Sequence, residues 1–498
     1  MVLGEVLKGT GAALDAVTAS LEIAGITHDS RRVRPAFAFF ALTGRMADGH
    51  SYAADAMKHG AAACICERRI EGLPLPQVVL PNARRALAFA AANFYGNPQR
   101  RMKLVGVTGT NGKTSTAYML KTIFSHGGYK TALLGTAKGS IGDAAYTPPL
   151  DAAEADEYET MTTPDPEVLY RTLADLAARG VEVTVMEASS HALALDKLAP
   201  IEFALGIFTN LSHEHLDFHG SMENYLAAKA KLFDSCRVGL FNADDAAGRK
   251  LLQNTACRAV SYGLTPPCDY LAEEIESYGV RGSSYLLHTR GARFRVKTQI
   301  PGSFTLYNTL AAAAAARECG VDLVCIQNAL YALRGIAGRL EKVNLGFMGG
   351  AFTVFIDYAH TPFALENLLR CVRAFRGTGQ RIVTLFGCGG ARDREKRPEM
   401  GRIAVENSDF VILTSDNPRA EEPQAILADI LKGVGKADNY TVIENRREAI
   451  EYAVANALAG DIILLVGKGH EQYEIDKDGL HPFSETEIVQ EAAERYRS

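Results

Sequence analysis

The stretch Met102–Leu120 reads MKLVGVTGTNGKTSTAYML. It starts as an apolar run of strand type, turns at glycines, and continues as a helical pattern. Strand, glycine loop and helix in that order form a phosphate cradle. Gly109, Thr110, Asn111 and Gly112 supply the turn, whose backbone N–H groups face the anion together with the helix N-terminus. Lys113 is placed to meet the β- and γ-phosphates, Thr114 to reach Mg²⁺, and Ser115 follows in the first helical turn. The spacing departs from the usual GxxxxGK[ST], because position 107 is Val and Gly106 comes one residue early. The strand before it, the helix after it and the GKT inside it set this loop apart from an ordinary structural turn.

Outward from this loop the chain keeps alternating. TALLG, VEVTVMEAS, FALGIFTNL and VGLFN read as further strands, with helical patterns such as TSTAYMLKTIFSHGG between them. That alternation predicts a parallel α/β sheet. A β-rich insert is expected over about 257–300, and Thr309–Ala316 as a small-residue helix packed closely on a sheet. Residues 1–98 show short strands and turns, then the Ala-rich helix pattern NARRALAFAAANFYG. GNPQR at 96–100 is a breaker cluster, and LRGIAGRLE at 333–341 reads as a second linker. Beyond it FTVFIDYA, RIVTLFG, DFVILTSD and DIILLVGKG predict a second, Rossmann-like α/β domain. The expected division is therefore 1–98, 99–337 and 338–498. It suits a chain of 498 residues at roughly 150 residues per domain.

Composition narrows the function. The chain is 47% hydrophobic and 22% charged, as for globular domains with real cores. A net charge of −5 leaves no basic footprint for nucleic acid or an anionic membrane. Nine scattered cysteines, odd in number and without a CxxC pair, predict reduced thiols in a cytoplasmic protein. The N-terminus carries Glu5 and Lys8 where a signal peptide needs an apolar run, and no run of about 18 apolar residues exists. Asp217–Gly220, DFHG, imitates the DxxG of a nucleotide switch, but the guanine-specifying N-K-x-D is absent. TNLSHEHLDFHG offers His213, His215 and His219 in a zinc-like pattern, without the cysteine of a familiar closed site.

GVTGTNGKT resembles the phosphate loop of the Mur ligases and folylpolyglutamate synthases, a family of ATP-dependent amide-forming enzymes, and the resemblance extends over essentially the whole chain. It implies activation of a carboxylate as an acyl phosphate, attacked by an amine. It implies Glu187 of VMEASSHAL and His215 as Mg²⁺ ligands, with Lys113 at the phosphates. It also implies that Lys229 of ENYLAAKAKLF is carbamylated by CO₂ and, as an anion, helps hold a second Mg²⁺. That reaction needs a neutral amine, so Lys229 is expected to be partly desolvated. Asn308 resembles an adenine-side contact, in a segment where the family usually has Asn at the place of Thr305. Arg339 and Asp357 resemble residues by which the last domain closes on ATP.

The first-domain loops THDSRRV and TGRMADGH resemble the branch of the family that extends UDP-N-acetylmuramoyl-L-alanyl-D-glutamate by a third residue. The matching positions are His28 and Ser30, then Arg45, Met46 and Ala47; Thr162, Thr163 and Ser189 match on the muramoyl-dipeptide. Leu195 and Lys197 stand where the family often has Gln and Arg, so a polar contact and a bidentate fork are missing. DNPR, Asp416–Asn417–Pro418–Arg419, matches a motif for meso-diaminopimelate, with Arg392, Gly467 and Glu471 nearby in the sequence pattern. Guanidinium forks suit the distal carboxylate of that diamino acid and acidic groups suit its ammonium. Lysine would leave the arginines without their anion, and lysine-adding relatives lack the motif. A folylpolyglutamate synthase would lack the first domain. The expectation is a monomeric cytoplasmic ligase using ATP and Mg²⁺, with no nucleic-acid or membrane partner.

Overall fold

The computed structural model describes residues 1–44, 47–136, 139–151, 154–155, 158, 161–346 and 351–495. They form two compact units, one of Met1–Leu271, His288–Ala292 and Leu310–Ile326, the other of Ala272–Leu287, Arg293–Thr309 and Gln327–Ser498.

The first unit begins with β1 (Gly25–Thr27), β2 (Phe37–Ala41), β3 (Ala61–Cys66) and β4 (Gln77–Val79), parallel and in that spatial order. The helix Ala83–Phe94 covers them. Asn82 caps it by accepting the Arg85 N–H at 2.8 Å. Its buried alanines at 83, 86, 88, 90, 91 and 92 let it approach the sheet closely.

A larger sheet follows: β5 (Lys103–Thr108), β6 (Thr131–Leu134), β7 (Ser140–Ile141), β8 (Ala144–Ala145), β9 (Val183–Glu187), β10 (Phe203–Phe208), β11 (Cys236–Asn242) and β12 (Arg258–Gly263). Their spatial order is β12-β11-β10-β5-β9-β6-β7-β8, parallel from β12 to β6. The central strand β5 is flanked by β9 and β10, with Val107 opposite Glu187 and Thr108 opposite Phe208. The loops leaving the carboxyl ends of these three strands therefore emerge together. A crevice at such a change of winding direction is where open α/β sheets bind ligands.

Tyr262 and Gly263 pair with Tyr270 and Leu271, which opens β13 (Tyr270–Ser277), followed by β14 (Ser283–His288) and β15 (Arg293–Thr298). This is the expected β-rich insert, and the helix Ser303–Glu318 carries the expected alanine run.

In the second unit, β16 (Glu341–Lys342), β17 (Thr353–Asp357), β18 (Ile382–Phe386), β19 (Phe410–Leu413), β20 (Tyr440–Val442) and β21 (Ile462–Val466) lie in the order β16-β17-β21-β18-β19-β20. Only the edge strand β16 is antiparallel. Helices Pro362–Phe375, Lys396–Asn407 and Pro423–Val434 pack on one face through Leu365, Leu369, Met400 and Ile430. Helices Arg446–Ala455 and Glu485–Arg495 pack on the other through Ile450, Ala453, Ile488 and Val489. Both faces are covered, which is why these strands read as unbroken apolar runs. The hairpin β22 (Tyr473–Asp476) and β23 (Gly479–Pro482) has no counterpart in the sequence reading. Its strands are four residues each and half-exposed or exposed, too short for an apolar alternation to mark them. All nine cysteines are free thiols, as expected.

Candidate active site

The phosphate loop joins β5 to the helix Lys113–His126. Gly109 (φ 145°) and Gly112 (φ 81°) both sit where L side chains are strained, and a Cβ at Gly109 would lie 1.9 Å from Thr209 Oγ1. The loop is sewn to the segment leaving β10. Thr110 N–H donates to Asn210 O at 2.9 Å, Asn111 N–H to Asn210 Oδ1 at 3.0 Å, and Thr209 Oγ1 to Asn111 O at 2.6 Å. Lys113 folds back over the loop, donating to Gly109 O at 3.0 Å and Thr110 O at 2.8 Å. Ser115 is buried one residue beyond Thr114.

Glu187, at the end of β9, is 1% exposed. Its carboxylate accepts the Thr114 hydroxyl at 3.0 and 3.1 Å and the Thr136 N–H at 2.9 Å. Gly135 permits that approach, since a Cβ there would lie 2.3 Å from Glu187 Oε1. No cation pairs with this carboxylate among the described residues. A buried oxygen ligand beside the Thr114 hydroxyl is the donor set that suits Mg²⁺. From Glu187 the site continues into the predicted substrate residues. Thr163 Oγ1 donates to Glu187 O at 2.9 Å, Ser189 N–H donates to Thr163 Oγ1 at 3.2 Å, and Thr136 Oγ1 lies 3.1 Å from Thr162 Oγ1. Ser189 caps the short helix Ser190–Ala194, which Leu195 terminates.

Lys229 comes from the helix Met222–Asp234 and is 1% exposed. Its amine donates to Gly109 O at 2.7 Å and lies over the Tyr225 ring at 4.4 Å. Burial, reinforced by the charge of Lys113, holds the amine well below its ordinary range. The desolvation expected of this lysine is present.

The three expected histidines separate by environment. His213 is exposed. His219 is buried, 3.0 Å from Ser190 Oγ and stacked on Tyr225 at 4.8 Å. His215 takes a left-handed backbone conformation (φ 55°); its side chain is 43% exposed, and partial burial lowers its ring pKa. Its nearest ring neighbour is His191, 4.9 Å away edge-on. His191 was missed in the sequence although it stands in EASSHAL; burial and the His215 and His219 rings push it down to about 4. Among the described residues no group of three or more His, Cys, Asp or Glu side chains is placed to hold a metal ion.

His28 reaches the same region. Its backbone N–H donates to Glu167 Oε1 at 3.0 Å, and its ring Nδ1 lies 2.7 Å from that oxygen. Lys197 is 8% exposed and pairs with Asp165 Oδ1 at 2.7 Å, with Thr163 O at 3.4 Å. Asp165 also lies 3.8 Å from His28 Nε2. Burial raises Asp165, but Lys197 and His28 outweigh it and the net shift is downward. Asp165 and Glu167, both missed in the sequence, thus gather His28, Thr163 and Lys197 around the start of one helix. Ser30 opens a short 3₁₀ turn whose carbonyl lies 3.0 Å from His59 Nδ1. Ala47 accepts the Gly44 N–H at 2.9 Å, and Arg45 and Met46 lie outside the described residues.

The second unit gathers the remaining predicted residues. Asn308 is buried early in the helix Ser303–Glu318. Asp357, at the end of β17, accepts the N–H groups of Leu340 (2.8 Å) and Ala359 (2.9 Å), and burial raises its carboxyl. Arg339 lies over the Tyr358 ring at 5.2 Å. Asn417 is the hub of the DNPR loop. Its Nδ2 donates to Glu471 Oε2 at 2.8 Å, while its Oδ1 accepts from Lys468 Nζ (2.8 Å) and Ile475 N (3.0 Å). Gly467 must be glycine, because a Cβ would lie 2.6 Å from Asp416 Oδ2. Burial raises the Glu471 carboxyl and lowers the fully buried Lys468 amine. Pro418 is buried against the neighbouring loop. Among the described residues Arg419 (φ 54°) donates to carbonyls, Gly390 O at 3.1 Å and Asn417 O at 3.3 Å, and its charge also acts on Glu471. Arg392 is exposed and makes no hydrogen bond or ion pair with any described residue. Two guanidinium groups without an ion pair to a described carboxylate thus accompany two acidic side chains, Asp416 and Glu471.

Three family patterns match the sequence: Mur ligase family, catalytic domain, at 22–95; Mur ligase middle domain at 107–316; and Mur ligase, glutamate ligase domain, at 338–469. The UDP-N-acetylmuramoyl-L-alanyl-D-glutamate–2,6-diaminopimelate ligase of Clostridium tetani is 40% identical over 498 residues, covering 99% of each chain. That of Syntrophomonas wolfei is 39% identical, again over 99% of each. A solved structure of a ligase with the same name superposes with a TM-score of 0.71 at 31% identity, covering 100% of this chain and 99% of that one.

Proposed function

The chain belongs to the Mur ligase family, and on that footing we propose that it joins meso-2,6-diaminopimelate to UDP-N-acetylmuramoyl-L-alanyl-D-glutamate at the expense of ATP. The γ-carboxylate of the D-glutamyl residue attacks the terminal phosphorus of ATP, ADP departs, and an acyl phosphate forms. The L-centre amine of the diamino acid then attacks the acyl carbon, loses a proton and expels phosphate, leaving the amide.

In this reading Gly109–Gly112 and Lys113 hold the phosphates, with Ser115 behind them, while Asn308, Arg339 and Asp357 serve ATP. Thr114, Glu187, His215 and carbamylated Lys229 would hold Mg²⁺, which neutralises charge on the transferring phosphoryl group. The lowered Lys229 amine supports that assignment, because CO₂ adds only to a neutral amine. His28, Ser30, Arg45, Met46, Ala47, Thr162, Thr163, Ser189, Leu195 and Lys197 are assigned to the UDP-linked acceptor. Arg392, Asp416, Asn417, Pro418, Arg419, Gly467 and Glu471 are assigned to the diamino acid. The parts 1–98, 99–337 and 338–498 divide accordingly into acceptor, ATP and amino-acid domains, a division the three family matches favour. The enzyme works as a monomer in the cytoplasm on soluble precursors; no described helix is long and apolar enough to cross a membrane.

One observation carries the choice of amine: among the described residues neither Arg419 nor Arg392 forms an ion pair with a carboxylate, beside Asn417-held Glu471. A diamino acid with a second carboxylate supplies the missing anion, and L-lysine does not. The test is phosphate release from ATP and Mg²⁺ with the UDP-linked dipeptide, adding meso-diaminopimelate or L-lysine in parallel. Release with diaminopimelate is expected to exceed release with lysine by on the order of 10⁴. Comparable release with lysine keeps the ligase and overturns the amine, and release with neither overturns the ligase reading.

A further inference from the structure

The two arginines assigned to the distal carboxylate stand on different loops, one leaving β18 and one leaving β19. The loops touch through backbone. Gly390 N–H donates to Asn417 O at 2.9 Å, and Arg419 Nη1 donates back to Gly390 O at 3.1 Å. A Cβ at Gly390 would lie 1.9 Å from Pro418 O, so nothing larger than glycine fits between them. One residue in each loop, Ala391 (φ 52°) and Arg419 (φ 54°), is held in the left-handed region without being glycine. L residues keep that conformation only where their surroundings impose it.

At Arg419 the backbone is held by Ile475 O, which accepts its N–H at 2.9 Å, and at Ala391 by Glu421. Its Oε1 accepts the Ala391 N–H at 2.6 Å and Arg397 Nη2 at 3.1 Å. Its Oε2 accepts Arg394 Nη2 and Arg397 Nη1, both at 3.0 Å. Arg397 is fully buried, and it also reaches Asp429 Oδ2 at 3.1 Å and Gly389 O at 3.3 Å. One carboxylate on the β19 loop therefore fastens the backbone of the β18 loop and the helix that follows it. Arg397 is committed to this clamp, whereas Arg392 and Arg419 on the same two loops form no ion pair with a carboxylate among the described residues.

We propose that Glu421 is a positioning residue for amine selection: by clamping the two loops it sets the spacing of Arg392 and Arg419, so that both serve a single distal carboxylate. The inference rests on the function proposed above. Glu421 does not touch the substrate; it acts through the loops that do. A merely structural Glu421 would, when replaced, weaken the use of every amine alike, whereas a positioning Glu421 alters the preference between amines.

The experiment compares kcat/KM for meso-diaminopimelate with that for L-lysine in the full-length enzyme and in Glu421→Gln, which keeps the side-chain shape and loses the charge. The diaminopimelate-to-lysine ratio is expected to fall at least tenfold, through KM for diaminopimelate, with KM for ATP unchanged. Glu421→Asp, which keeps the charge on a shorter arm, is expected to fall in between, and it provides a folded comparison if Glu421→Gln is lost. An unchanged ratio in the variant that retains the wild-type KM for ATP overturns the inference and leaves the ligase reading standing. A wild-type enzyme that does not use diaminopimelate overturns both.

Discussion

The amine of Lys229 and the carbonyl oxygen of Gly109 are 2.7 Å apart, so a buried lysine closes the floor of the phosphate loop. Lys113 reaches the same carbonyl at 3.0 Å from the other side. Burial favours the neutral form of the Lys229 amine, and the Lys113 ammonium converging on the same oxygen adds repulsion in the same direction.

Lys229→Met is expected to abolish turnover, by on the order of 10² or more, and bicarbonate is expected to stimulate the wild type only. Phosphate release in CO₂-depleted and bicarbonate-supplemented buffer checks this. Equal stimulation of both proteins contradicts the carbamate.

The same substitution has a stability signature. The folded value of Lys229 lies below its unfolded 10.5, so between the two the unfolded chain binds the extra proton. This lysine's penalty is full below the folded value and disappears as pH rises towards 10.5. Lys229→Met removes the penalty, and Gly109 O keeps its bond to Lys113. At neutral pH, with CO₂ removed so that the wild-type amine is free, the variant is expected to melt higher than the wild type. Thermal melts across pH measure it; a variant less stable at neutral pH and unchanged in pH slope refutes it.

Glu187→Gln keeps an acceptor for the Thr136 N–H but loses the anionic oxygen beside Thr114. Turnover at saturating ATP is expected to drop about 10²–10³-fold, with a raised Mg²⁺ requirement and an unchanged melting temperature. Magnesium titrations at fixed ATP test this, and an unaltered Mg²⁺ dependence would remove Glu187 from the metal site.

Arg419→Lys retains charge and loses the planar fork. KM for meso-diaminopimelate is expected to rise about 10–100-fold, for roughly 1.5–3 kcal/mol of charged hydrogen bonding, with KM for ATP unchanged. If both constants rise together, this loop does not hold the amine substrate.

Asp165→Asn removes the anion paired with Lys197 at 2.7 Å and faced by His28 at 3.8 Å. Because Lys197 is 8% exposed, its charge is then left poorly compensated, and a loss of about 1–3 kcal/mol is expected in urea unfolding. KM for the UDP-linked dipeptide is expected to rise while KM for ATP holds, which separates local disorder from general damage.

The sequence by itself determined the alternation of strands and helices, the phosphate loop and the DNPR loop. Those signals are local: a run of apolar residues, a glycine where no Cβ fits, a Pro-Arg turn after a strand. It did not determine which groups lose water or which carboxylate answers which cation. Lys229 is one of two lysines in its helix until Tyr225 and Gly109 enclose it. His191 acquires its depressed pKa from burial and from rings 24 and 28 residues away in the chain, at 215 and 219. Glu421 looks like one of two adjacent surface acids in RAEEP until Arg397, from another helix, is buried against it. The hairpin β22–β23 is stabilised by its place beside Asn417, which binds Ile475, and not by any apolar pattern of its own. Burial and pairing are sums over residues distant in sequence, so only the tertiary structure could decide them.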